Sequence, residues 1–213
     1  MASTQQLKMR VRSAKKPVAY AFVDSQNLNL SVRDQGWKID YGRFRRYLSD
    51  KYNVQKAYMF IGYLPENTQL YTALQTAGFI CVFRPTLKNI NGAVKGNCDA
   101  ELVLQAMIDF ADYDKAVIVS GDGDFQCLAK HLHERSKLGV LLIPHRMKFS
   151  ALLKFDFLKP YHRFVNDLEE KVAYKKKSPR EDKHSEGTSS IRDSSIVSKT
   201  STNVKSTHRK EQK

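Results

Sequence analysis

Between residues 17 and 170 the chain switches repeatedly between two hydrophobic periods. Short unbroken apolar runs alternate with stretches whose apolar residues recur every three or four positions. Val18–Val23 (VAYAFV), Val54–Tyr63, Phe79–Phe83, Ala116–Val119 and Gly139–Ile143 read as five strands. Their apolar residues are continuous rather than alternating with polar ones, which is the signature of strands covered on both faces. Between them, Asp40–Tyr52, Glu66–Ala77, Asn97–Phe110 and the segment that follows Gly121-Asp122-Gly123-Asp124 to about Lys137 carry helical spacing. Asn97 is placed as the N-cap of its helix. Residues 85–96 read as a polar loop, and Phe149–Leu158 and Phe164–Ala173 as helical or irregular cover. Such alternation predicts an α/β domain, a doubly wound sandwich around a mainly parallel sheet.

The charge is distributed in a way that supports the same division. The full chain carries +14 over 213 residues. Residues 1–16 hold five cations and no acid, and residues 171–213 hold twelve cations and five acids. The segment 17–170 holds 19 cations and 17 acids, a net of only +2. The expected organisation is a basic N-terminal extension (1–16), one globular domain (17–170) and a basic Ser/Thr/Lys-rich disordered tail (171–213). No aromatic follows Tyr174, so the last stretch cannot bury enough apolar surface to offset its ordering entropy. No apolar run approaches the length of a membrane span, and the N-terminus lacks the apolar core of a secretory signal. Three cysteines without Cys-x-x-Cys spacing point away from a disulfide framework and toward a reducing, cytoplasmic setting.

In a doubly wound sheet, ligands bind beyond the carboxyl ends of the strands. Acids collect there. Asp24 directly follows the first strand, Asp122 and Asp124 follow the fourth in Ser120-Gly121-Asp122-Gly123-Asp124, and Asp99 lies in the first turn of its helix. Each has an ordinary explanation in isolation: Asp-Gly pairs make turns, and Asp caps helices. Their joint placement at one sheet edge favours a bound hard cation, Mg²⁺ or Mn²⁺, because converging carboxylates repel one another without one. Asn27 and Ser120 are placed to orient carboxylates or water. Arg84, Lys88 and Lys95 flank the polar loop near that edge and are candidates for phosphate contacts. Arg43, Arg45 and Arg46 alternate with aromatics on a helix, where a solvated face is the better reading. No Gly-x-x-x-x-Gly-Lys-Ser/Thr loop, Gly-x-Gly-x-x-Gly or Gly-x-Ser-x-Gly element is present. His131 and His133 are two apart on a helix and do not share a face, and His145 has no sequence partner for catalysis.

Asp24-x-x-Asn27-Leu28, Lys95-Gly96-x-x-Asp99 and Ser120-Gly121-Asp122-Gly123-Asp124-Phe125, in that order, resemble the NYN domains of the PIN-like nuclease superfamily, in particular the LabA-like branch. The resemblance covers about residues 17–165. It implies a PIN-like, Rossmann-like three-layer α/β sandwich. It also implies metal-dependent hydrolysis of RNA, single-stranded by preference, with Asp24, Asp99, Asp122 and Asp124 at the acidic positions and Asn27 and Ser120 at the accompanying polar ones. Some relatives carry a further acid in the helix after Asp99; Glu101 and Asp109 are the acids available there, and neither falls at a matching distance. The main alternative is a non-catalytic RNA-binding or regulatory adaptor on the same fold. A Toprim-type domain wants Glu where Asp24 stands, and a dehalogenase-type phosphatase wants an acid where Gln26 stands. Apolar faces are compatible with a homodimer.

Overall fold

A computed structural model describes residues 16–85, 87–88, 94–95 and 98–175; for residues 87, 88, 94 and 95 it describes the backbone alone. The chain divides into two units, Met1–Lys176 and Lys177–Lys213, and the second lies outside the described residues. So do most of the N-terminal extension and the residue expected to cap the third predicted helix, Asn97.

The elements run β1 (Ala19–Asp24), α1 (Ser25–Asp34), α2 (Tyr41–Tyr52), β2 (Val54–Tyr63), α3 (Thr68–Thr76), β3 (Ile80–Pro85), β4 (Leu87–Lys88), β5 (Val94–Lys95), α4 (Asp99–Ile108), β6 (Lys115–Val119), α5 (Gln126–Glu134), β7 (Leu138–Ile143), β8 (His162–Phe164) and α6 (Glu169–Val172). Six strands form one sheet in the order β3-β2-β1-β6-β7-β8, and every adjacent pair is parallel. The five expected strands are present, and His162–Phe164 adds a sixth at the edge beside β7. The chain builds outward from β1 to β3, then crosses back to start again at β6. The β1/β6 boundary is therefore the topological switch point.

Side chains alternate along each strand and so build two cores. Ala19, Ala21 and Val23 of β1 and Val117 and Val119 of β6 point to one face, where Leu28 and Val32 of α1, Phe44 and Leu48 of α2, and Leu74 of α3 cover them. Tyr20 and Phe22 of β1 and Ala116 and Ile118 of β6 point to the other, under Leu102 and Ala106 of α4 and Leu128 and Leu132 of α5. The result is the three-layer, PIN-like α/β sandwich expected from the sequence. Phe22, Phe44 and Phe60 are almost completely buried. Burying one such ring contributes about 1.5–3 kcal/mol, so these three side chains are major contributors to the sandwich.

Helix ends follow their local chemistry. Asp40 caps α2 by accepting from the Arg43 N–H at 3.0 Å. Asn53 ends that helix at φ 57°, a left-handed conformation that Asn tolerates. One expectation shifts. Residues 85–96 contain a two-stranded antiparallel ribbon, with Leu87 opposite Lys95 and Lys88 opposite Val94. Residues 151–161 form short 3₁₀ turns, within the helical or irregular cover expected there. The packed chain also continues past residue 170, because the Tyr174 N–H donates to Lys38 O at 2.8 Å and Ala173 bridges Ile39. Among the described residues no helix is long and apolar enough to cross a membrane.

Candidate active site

The alternation along β1 decides where Asp24 points. Phe22 faces the layer made by α4 and α5, Val23 faces away, and Asp24 returns to the α4 side. Asp24 is at once the last residue of β1 and the N-cap of α1, its Oδ1 accepting from the Asn27 N–H at 3.0 Å. Its other oxygen accepts from the Ser120 hydroxyl at 3.0 Å. Ser120 is fully buried just beyond β6, the neighbour of β1. The Ser120 Oγ in turn accepts from the Asp122 N–H at 3.1 Å, and an Asp122 carboxylate oxygen accepts from the Asp124 N–H at 3.1 Å. One chain of hydrogen bonds thus runs from the end of β1 through the end of β6 into the acidic loop.

The loop itself is pinned from two sides. Asn27 Oδ1 accepts from the Gly121 N–H at 2.9 Å, tying the first turn of α1 to the end of β6. The Ser150 N–H donates to Gly121 O at 3.0 Å. Gly123 lies so close beneath this segment that a Cβ there would collide with the Ser150 hydroxyl and approach Leu152 to 3.1 Å. Ser150 and Phe149, whose Cβ would lie 3.2 Å from a Cβ on Gly121, are contributors that nothing local in the sequence marks. The glycines of Gly121-Asp122-Gly123-Asp124 were the one available hint, since glycine permits close backbone approach.

Asp99 is the first residue of α4, the helix that packs over β1 and β6. Asp99, Asp122 and Asp124 each present one carboxylate oxygen, and the three oxygens lie within 4.8 Å of one another. Asp99 and Asp122 are half-buried and Asp124 is exposed. Asp24 is beside them rather than within that group. Its carboxyl is held above the usual value of 3.8, first by burial and further by the charges of Asp99 and Asp122, against the opposing hydrogen bonds from Asn27 and Ser120. An all-carboxylate set of this kind, with negative charge crowded and only partly exposed, suits a hard divalent cation. Among the described residues no other group of three His, Cys, Asp or Glu side chains is so arranged.

The cationic candidates divide. Arg84 lies on β3, and its guanidinium faces Glu101 of α4, with Nε 3.4 Å from Oε1 and Nη1 3.4 Å from Oε2. Glu101 therefore turns toward Arg84 and not into the acidic group. Lys88 and Lys95 sit on the ribbon strands β4 and β5, and their side chains lie outside the described residues. Arg45 is committed to the fold, donating to the carbonyls of Gly78, Val54 and Gln55. Of the histidines, His133 Nδ1 is 3.0 Å from the Tyr161 hydroxyl, and His145 Nδ1 accepts from the N–H groups of Met147 and Lys148.

Comparison with known proteins points the same way. A family profile described as the NYN domain matches residues 19–158. The "Low amplitude and bright protein LabA" of Synechococcus elongatus is 28% identical over 116 residues, 49% of this chain and 62% of LabA, so the chain spans less than two thirds of that protein. Among solved structures, a crystal structure of a protein of unknown function from Vibrio parahaemolyticus superposes with a TM-score of 0.61 at 22% identity, covering 76% of this chain and 99% of the other. At that identity the superposition speaks for the fold.

Proposed function

The chain belongs to the NYN domain family, and from that premise we propose that it is a metal-dependent ribonuclease that hydrolyses phosphodiester bonds in single-stranded RNA. The observation that carries this reading is the convergence of Asp99, Asp122 and Asp124 within 4.8 Å at the switch point of a parallel sheet. Asp99, Asp122 and Asp124, with Asp24 completing the set, would hold Mg²⁺ or Mn²⁺, which supplies Lewis-acid stabilisation of phosphate charge and a more acidic water.

The protein's own part in this chemistry is orientation. Ser120 and the Asn27 N–H fix both oxygens of Asp24, and the Asp124 N–H fixes one oxygen of Asp122. Asn27 holds the loop that bears Asp122 and Asp124 against the helix that Asp24 caps. Carboxylates held in this way need little rearrangement when substrate arrives. Arg84, held by Glu101, and the ribbon lysines Lys88 and Lys95 are placed in this reading along the phosphate path. A cytoplasmic location belongs to the same reading, on the cysteine usage of the chain.

The test is cleavage of end-labelled single-stranded RNA with Mg²⁺ or Mn²⁺. Wild type should cut, and Asp122→Asn should lose activity by about 100-fold or more while melting as a folded protein. Wild type that binds RNA yet cuts none of a panel of sequences with either metal would leave the adaptor reading in its place.

A further inference from the structure

On α2 the positions open to solvent are Gly42, Arg43, Arg46, Asp50 and Lys51, as expected of a helix that covers a core with one face. Helix α4 does the opposite. Its exposed positions are Ala100, Leu104, Met107 and Ile108, with no polar residue among them. Leu104 and Ile108 are 60% and 65% exposed. Its inner face is filled by Leu102 and Ala106, so α4 is apolar on both sides. A helix of that kind is normally buried all round.

The edge strand continues this apolar surface. Ile80 and Val82 of β3 stand opposite Tyr58 and Phe60 of β2, whose rings lie in the core under α4 and α5. Ile80, Val82 and Arg84 therefore point to the α4 side. The Arg84–Glu101 ion pair sets the start of α4 against the carboxyl end of β3. From there α4 runs back toward the amino ends of the strands. Leu104 and Ile108 follow Glu101 at i+3 and i+7 on the same helical stripe. Two strand residues rise about 6.6 Å and four helical residues about 6 Å, which brings Leu104 about level with Val82 and Ile108 with Ile80. Ile80 is itself 44% exposed. Beyond this strip lies the outer edge of β3, the end of the six-stranded sheet, and among the described residues no strand pairs with it. The opposite edge strand, β8, is three residues long and carries His162 and Arg163, whereas β3 reads Ile-Cys-Val-Phe-Arg-Pro. Short, charged edges discourage pairing, and longer apolar ones invite it.

We propose that the outer edge of β3 and the apolar strip of α4 form a homodimer interface. β3 runs antiparallel to its counterpart about a two-fold axis, and the two α4 faces lie on the same side of one continuous sheet. The occupant is a second copy on three grounds. Exposed hydrophobic area is concentrated here: Tyr63, Ile80, Phe83, Leu104, Met107 and Ile108 are six of the eleven exposed large hydrophobic side chains among the described residues. Together they expose on the order of 600 Å², to be compared with the roughly 800 Å² per partner of a standard interface. Tyr63 and Phe83 lie on the α3 side of the same edge, so pairing there covers both faces. A strand edge is also self-complementary, because antiparallel pairing about a two-fold axis satisfies the main-chain groups of both copies at once. The charge agrees. Arg84 and Glu101, at one end of the strip, neutralise each other, so a strongly charged partner gains little there, and two basic chains meet on it without facing like charges.

The experiment is sedimentation velocity of the full chain over a concentration series, freed of nucleic acid and in high salt so that no RNA bridges two copies. Wild type should sediment as a dimer. Leu104→Glu/Ile108→Glu should dimerise at least about 100-fold more weakly, because like charges then meet across the axis. Leu104→Lys/Ile108→Lys should do the same. Mixing the Glu and Lys variants should restore the dimer, an outcome that neither misfolding nor a different partner can produce. Ile80→Lys, on the strand, should weaken association as well. Met147→Glu, at a side chain 79% exposed after β7, should dimerise as wild type does. A wild-type monomer at every concentration overturns the interface and leaves the strip to a partner of another kind. It is equally overturned by a dimer that survives both charge variants or Ile80→Lys, by folded charge variants that stay monomeric when mixed, or by a Met147→Glu variant that dissociates to the same degree. Should either double variant not melt cooperatively, Ile80→Glu mixed with Ile80→Lys is read in the same way.

Discussion

Asp24 bears two duties that pull against each other. As an N-cap it satisfies the Asn27 N–H, and as the partner of Ser120 it anchors the hydrogen-bond chain into the acidic loop. It does so while buried beside Asp99 and Asp122, which raises its pKa above 3.8. A folded-state pKa above the unfolded value means that the native state binds more protons across that window. Stability contributed by the protonated form is full below pH 3.8 and is lost as pH rises through the raised value, so at neutral pH the charged carboxylate opposes folding. Asn in its place keeps an acceptor for the Asn27 N–H and carries no charge. Asp24→Asn should therefore melt above wild type in EDTA at pH 7.5, with the difference shrinking toward pH 4, and should have lost RNA cleavage. An Asp24→Asn melt below wild type at neutral pH would show that the carboxylate is a net structural asset. The four Asp positions were legible in the sequence because each follows a recognisable strand or opens a recognisable helix. The partner of Arg84 was not, since β3 and α4 meet only in space.

The element that matters most is the connection from β6 to α5. It must turn sharply, present Asp122 and Asp124, and pass beneath the segment that carries Phe149 and Ser150. Gly123 makes the last of these possible, because a Cβ there would collide with Ser150. Gly123→Ala should destabilise by about 1–3 kcal/mol, and a Ser150→Gly second substitution should recover part of that loss. Urea midpoints of the single and double variants measure both. Full additivity of the two changes would mean that the collision is relieved elsewhere. At this scale the central strands were legible because burial on two faces leaves unbroken apolar runs. Helix α1 was not, since Ser25–Asp34 is rich in Ser, Asn and Asp and buries only Ser25, Leu28 and Val32. Strand β8 was missed for a related reason: His-Arg-Phe has no apolar run and is a strand only because β7 offers it an edge.

For the whole molecule the question is what a net charge of +14 does around an acidic site. If Asp24, Asp99, Asp122 and Asp124 are matched by cations, the remainder of residues 17–170 holds 19 cations against 13 acids, a modestly basic surface. The ends carry more. Residues 1–15 and 176–213 hold 14 cations and five acids, and removing them takes the chain from +14 to +5. That cut spares Lys16, whose carbonyl accepts from Asn53, and Tyr174, which is tied to Lys38. The fold and acidic group should be untouched by it. Binding of single-stranded RNA should weaken, and its dependence on salt should flatten: if four of the removed cations sit on phosphates, the slope of log K against log salt falls in magnitude by about 3. Cleavage by the trimmed chain at low salt and saturating RNA should match the full chain. A trimmed protein that melts normally, binds RNA with an unchanged salt slope and no longer cuts would assign the ends to the chemistry itself. The outcome expected here assigns them only to attraction, leaving the sheet edge between β1 and β6 as the place where a bond is broken.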